Sequence, residues 1–153
     1  MASRPRVGHG AGYTLVELLV VMAIMGMVSS VTVVNVVRQL PRYRLTNAAS
    51  QLAWTFRGLR MRAISQHHTV QVTFTTPHVY TVWTDRNDNG SIESDEVQTV
   101  DLAVASPGVQ LASTAAPTFT PTGTVTNPPT ITLTNPSGAK TLTMNILGDI
   151  TIQ

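Results

Sequence analysis

The chain has 153 residues, ten Lys and Arg against eight Asp and Glu, four His and no cysteine, for a formal net charge of +2. The missing cysteine excludes a disulfide framework, so any exported part must hold together through its core or through a metal. The length allows one modest domain beyond a targeting segment.

Residues 1–12 carry Arg4, Arg6 and His9 and no acid. They read as a short basic leader that keeps the N-terminus cytoplasmic by the positive-inside tendency. From Leu15 to Val37 the only charged residue is Glu17, with Ser29, Ser30, Thr32 and Asn35 as mild polar breaks. A run of roughly 20 apolar residues suffices for a helix across a bilayer. Residues 13–37 are therefore predicted to form a transmembrane helix. A carboxylate at the head of such a run is costly and needs a partner, which makes Glu17 a functional candidate. A cleaved secretory signal peptide is the alternative. It fits less well, because Glu17 is unfavourable in an apolar h-region and no A-x-A-like site follows.

Helical character continues over residues 38–66. Leu45, Ala49, Leu52, Phe56, Leu59 and Ala63 alternate spacings of four and three and so fall on one face, the face expected to pack on a sheet. Pro41 is expected to kink or break the helix near Leu40. After His67 and His68 the period changes to two. Residues 69–76 and 78–84 read as a hairpin around Pro77, with further strands predicted at 96–102, 108–111, 130–134, 140–146 and 149–152 and a turn at Asn135-Pro136-Ser137-Gly138. Residues 113–129 are rich in Thr, Pro and Ala and read as an irregular loop with at most one short strand. The expected fold is α+β: a long N-terminal helix, membrane-spanning in its first half, packed on a C-terminal antiparallel β-sheet domain over 67–153.

The segment from Asp85 to Glu96 matches the calcium-loop pattern D-x-[DN]-x-[DN]-G-x5-E. In that reading Asp85, Asn87 and Asn89 offer side-chain oxygens, Ser91 its carbonyl, Glu93 a direct or water-borne oxygen, and Glu96 both carboxylate oxygens to a Ca2+ ion. The flanking strands disagree with a helix–loop–helix frame, and an acidic hairpin loop turning at Asn89-Gly90 is the equal alternative. His67, His68 and His78 fit no zinc pattern. No nucleophile, phosphate loop or catalytic carboxylate pair stands out, and the chain reads as a non-enzyme.

Gly12-Tyr13-Thr14-Leu15-Val16-Glu17 ahead of an apolar helix resembles the N-terminal signal of type IV pilins and type II secretion pseudopilins. The resemblance implies that a prepilin peptidase cuts after Gly12, that the new N-terminal amine of Tyr13 is methylated, and that Glu17 pairs with the N-terminal amine of a neighbouring subunit. A buried carboxylate requires such a counter-charge. Cleavage would remove Arg4 and Arg6 and leave eight basic against eight acidic residues. The later features, with an early hairpin, an Asp-Asn-Gly-rich loop and a C-terminal pair of strands, are similar to the GspH/FimT group of minor pseudopilins and minor pilins. That likeness implies a structural subunit near a filament tip, held in the inner membrane before assembly and in a periplasmic pseudopilus or an extracellular pilus after it. Other pilin subunits, the peptidase and an inner-membrane assembly platform would be its partners. A major pilin subunit and a calcium-stabilised secreted or anchored module unrelated to filaments are the alternatives. After Arg86 only Lys140 is basic, which argues against DNA binding by the tail.

Overall fold

The computed structural model describes residues 13–153, and the side chains of all of these except 30–36 and 38. The leader, with Gly12, lies outside the described residues. The chain divides into two compact units, Met1–Arg38 and Gln39–Gln153.

Helix α1 runs from Leu15 to Gln66. Within the first unit its residues from Leu15 to Val28 are almost all large, apolar and exposed. Among the described residues no helix is long and apolar enough to cross a membrane, and part of the predicted 13–37 segment, residues 30–36, falls outside the described side chains. Pro41 lies inside the helix, so the break expected near Leu40 is not there. A proline removes one backbone donor from the ladder, and neighbouring turns keep theirs. The carbonyl of Pro41 also accepts from Asn135 Nδ2 at 2.6 Å, which fastens this turn to the globular unit.

In the second unit the predicted stripe is buried at every position, and Ala48 and Ala53 widen it. Four alanines in this face bring the helix backbone close to what lies over it, as close packing of an interior requires. Phe56 stands at the centre. Its ring lies 6.5 Å from Phe74, 6.4 Å from Tyr80 and 6.3 Å from Phe119, the edge-on and tilted arrangements that aromatic quadrupoles favour. His67 ends the helix in the left-handed region at φ 58°, the usual backbone state just past a helix C-terminus.

The single predicted sheet is in fact two antiparallel sheets. The first contains β1 (Val70–Phe74), β2 (Val79–Thr84), β3 (Val97–Asp101), β5 (Thr118–Phe119) and β6 (Val125–Thr126) in the order β3-β2-β1-β5-β6. The second contains β4 (Gln110–Ser113), β7 (Thr130–Asn135), β8 (Gly138–Met144) and β9 (Ile150–Ile152) in the order β4-β7-β8-β9. The hairpin and the Asn135–Gly138 turn stand as predicted, with Phe74 opposite Tyr80 and Asn135 opposite Gly138. Residues 113–129 depart from expectation, since they contribute two paired two-residue strands at the edge of the first sheet. Their prolines do not prevent this, because a proline carbonyl still accepts. Pro117 O takes the Val72 N–H at 3.0 Å and Pro129 O takes that of Met144 at 3.1 Å. A four-residue helix, α2 (Leu102–Ala105), replaces the end of the predicted 96–102 strand. Asp101 caps it, accepting from the Ala103 N–H at 2.8 Å, as short acidic side chains do at helix starts.

The two sheets meet the helix near its C-terminal end at two glycines. Gly123 (φ +83°) and Gly148 (φ +77°) lie so close to α1 that an added Cβ would stand 2.8 Å from Ile64 and 2.6 Å from Arg60. Arg60 Nε donates to the Gly123 carbonyl at 2.8 Å, while β6 joins the turn before β9 through Val125 N–H to Ile146 O at 2.8 Å.

Truncating Phe56 should empty the contact point of helix and first sheet. For the full chain in detergent, Phe56→Ala is expected to lower the unfolding free energy by about 3–5 kcal/mol. Trp54→Ala, two residues away on the opposite, exposed face of the helix, is expected to change it by under about 1 kcal/mol. Chemical denaturation measures both, and equal losses would contradict this packing.

Candidate functional site

At the start of α1, Thr14 precedes the first helical residue and its Oγ1 accepts from the Glu17 backbone N–H at 3.3 Å. Thr14-Leu15-Val16-Glu17 has the spacing of a capping box, in which a hydroxyl satisfies one free donor of the first turn and a glutamate three residues on favours the helix dipole. Sequence reasoning missed this local use of Thr14, although the T-x-x-E spacing carried it. Tyr13, Glu17, Leu18 and Val21 line one open, mainly apolar pocket of about 330 Å3. Tyr13 is 87% exposed, and Glu17 is exposed as well. Among the described residues no cation pairs with Glu17. The carboxylate thus stands on an apolar surface without a counter-charge among the described residues.

The loop from Asp85 to Glu96 closes on itself. Asp85 is buried and accepts from the backbone N–H of Asn89 at 3.2 Å on one oxygen and of Gly90 at 3.0 Å on the other. Asn87 and Asn89 each accept from the backbone two residues on, the Asx turns that these side chains form readily. Both amides donate to Glu93, at 3.1 Å each. Asp88 and Gly90 sit in the left-handed region at φ 55° and 70°, which makes the reversal tight. Five of the six residues singled out as oxygen donors, Asp85, Asn87, Asn89, Ser91 and Glu93, thus gather around one turn.

Glu96 takes a different direction. It is buried, and its carboxylate accepts from Trp83 Nε1 at 3.0 Å and from the Arg86 backbone N–H at 2.7 Å. The indole bond above all holds its carboxyl below the usual carboxylate range; burial opposes this, and the backbone N–H groups of Arg86 and Asn87 and the charge of Arg86 add to it. Its own N–H returns to Glu93 O and its carbonyl accepts from Thr84. Glu96 is therefore the hinge that pins the loop to β2. Trp83 was not singled out from the sequence; the β2–β3 register pairs it with Val97, next to Glu96, and nothing short of that register would have brought the two side chains together.

The histidines are dispersed. His68 Nδ1 lies 3.1 Å from Asp88 Oδ1, and His78 Nδ1 lies 3.0 Å from the Val109 carbonyl. Among the described residues no three or more His, Asp or Glu side chains are grouped to hold a metal ion.

Residues 48–148 match the family described as type II transport protein GspH, and residues 9–33 match the prokaryotic N-terminal methylation motif. Among solved structures the fold is similar to the minor pseudopilin EpsH from the type 2 secretion system of Vibrio cholerae. The TM-score is 0.56 at 16% identity, over 72% of this chain and 96% of that one. It is similar also to the minor pilin FimU of Pseudomonas aeruginosa, with a TM-score of 0.58 at 18% identity, over 73% of this chain and 90% of that one. No curated sequence matches the chain.

The lowered carboxyl of Glu96 has a pH consequence. A group with its folded value depressed contributes stability that is present above its unfolded pKa and lost as the pH falls through the folded one. Acid melting of the full chain should therefore show a decline below about pH 4.5 to which Glu96 contributes. Glu96→Gln is expected to lower Tm at pH 7 and to make that decline shallower. A variant with the same Tm and the same acid profile as the parent would remove Glu96 from this role.

Proposed function

We propose that this chain, which belongs to the type II transport protein GspH family and is a minor pilin or pseudopilin, matures by cleavage of the Gly12–Tyr13 bond and enters a filament through the apolar run that follows. The observation that carries this reading is the first unit of the structure. Its helix exposes Leu15, Val16, Leu18, Leu19, Val20 and Val21 in succession, a surface that water alone does not tolerate. Before assembly the inner membrane would cover it, with the run from Leu15 to Val37 as anchor. In the filament the same face would be covered by the helices of other subunits.

Glu17 gives that exchange its register. Moved from a wet surface into a bundle of apolar helices, a carboxylate is costly until a positive group and hydrogen bonds meet it. The amine of Tyr13 on an adjacent subunit, freed by cleavage and methylated, supplies the charge. A chain offset by any other axial distance leaves both charges uncompensated. Prepilin peptidase and an assembly platform in the inner membrane are the further partners this maturation requires. The family is one of structural subunits, and the globular unit fits that use: it presents two small sheets on a helix and a projecting acidic loop, while the helix beneath supplies the assembly contact.

The experiment is to express Glu17→Val beside the wild-type protein in cells that build the filament. The variant is expected to be processed to the mature mass and retained in the envelope. Its incorporation into sheared filaments or isolated pseudopili should fall at least about tenfold, as loss of one partner of a buried charge pair would produce. Incorporation equal to wild type would contradict the pairing, and failure of processing would move the role of Glu17 from assembly to peptidase recognition.

A further inference from the structure

Beside the start of the acidic loop, Arg62 and Gln66 on α1, Thr84 at the end of β2, Arg86 just beyond it and Gln98 on β3 line one open polar pocket of about 290 Å3. Among the described residues neither arginine takes part in an ion pair. The lining contains no acid. The carboxylate of Glu96 feels the charge of Arg86, but both of its oxygens accept hydrogen bonds elsewhere, from the Trp83 indole and the Arg86 backbone N–H. Two guanidiniums outside any ion pair, flanked by two amide side chains, line a common space and carry the forked N–H donors that planar oxyanions engage bidentately.

We propose that Arg62 and Arg86, with Gln66 and Gln98 beside them, form a binding site for a carboxylate, supplied in an assembled filament by an acidic side chain of a neighbouring subunit. A carboxylate suits the site better than a phosphate. Phosphate binding draws on several cations, whereas this pocket has two, the buried Glu96 offsets part of the field of Arg86, and beyond Arg86 only Lys140 is basic. The matching acids exist in this same chain type. Glu93 and Asp95 are exposed on the loop of residues 85–96, so a subunit with a similar distribution of charge presents carboxylates on a projecting loop. The binding chemistry stands on the pocket alone. Only the source of the carboxylate rests on the filament reading.

The test is a titration of the mature full-length protein in detergent micelles with sodium acetate, against sodium chloride at matched ionic strength, read at the arginine Nε–H signals by NMR. Saturable shifts at Arg62 and Arg86 are expected at about 0.1–1 M acetate, as for exposed charge pairs of small net energy. Arg62→Gln should weaken the acetate response at least about tenfold. Arg62→Lys, which keeps the charge and loses the fork, should also weaken it. No saturation beyond that of chloride would overturn the site, and inorganic phosphate binding about tenfold tighter than acetate would overturn the carboxylate assignment. A second arm distinguishes the sources. Lower filament incorporation of the Arg62→Gln, Arg86→Gln double variant supports a neighbour's side chain, whereas normal incorporation alongside acetate binding supports the site with a free carboxylate as ligand. If the wild-type protein enters no filament, the filament reading fails while the titration still decides the site.

Discussion

The constraint on which the rest depends is the burial of one helix face in a chain without cysteine. Beyond the first unit no disulfide can close a loop, so two sheets of short strands are held by what they bury against α1. Leu45, Leu52, Phe56 and Leu59 supply the apolar area, at about 1.5–3 kcal/mol for each large side chain fully buried. Ala48, Ala49, Ala53 and Ala63 supply proximity, all at 1% exposure or less. The sheets then close at the end of the helix, where Gly123 and Gly148 leave no room for a Cβ and Arg60 binds a loop carbonyl. A helix that must serve as the inner wall of this unit is also the continuation of the segment that carries Glu17. One element, α1, thus runs from the segment that carries Glu17 into the globular unit.

Much of this was legible because it depends on period. The stripe from Leu45 to Ala63, the switch to alternation after His68 and the Asn135–Gly138 turn each follow from spacing alone, and each stands in the structure. The division into two sheets was not legible. It depends on which strands pair, and Thr118–Phe119 and Val125–Thr126 are too short and too crowded by proline to signal pairing. Their strength comes from outside the segment, from Pro117 and Pro129 carbonyls that receive bonds from β1 and β8. The helix through Pro41 is a second case. Local propensity argues for a break, but the turn is held by neighbouring hydrogen bonds and by Asn135, which lies 94 positions along the chain.

The acidic loop shows the difference between a pattern and its use. Its composition pointed to oxygen ligands for a cation, and Asp85, Asn87, Asn89 and Glu93 meet around one turn. Their oxygens are directed at backbone N–H groups and side-chain amides, and Glu96 is directed at Trp83. The loop is thereby closed by its own hydrogen bonds, with Glu93 and Asp95 exposed. The pocket bearing Arg62 and Arg86 carries the opposite sign on the same unit.

The central claim is that the mature chain begins at Tyr13 and assembles through the helix that starts there. Mass spectrometry of the N-terminal peptide, taken from sheared surface filaments and in parallel from the cell envelope, tests it most directly. A peptide beginning at methylated Tyr13 in either filament fraction is the expected result, with surface filaments indicating a pilus and envelope-confined filaments a pseudopilus. An N-terminus at any other residue, or an unprocessed leader in assembled filaments, would contradict it.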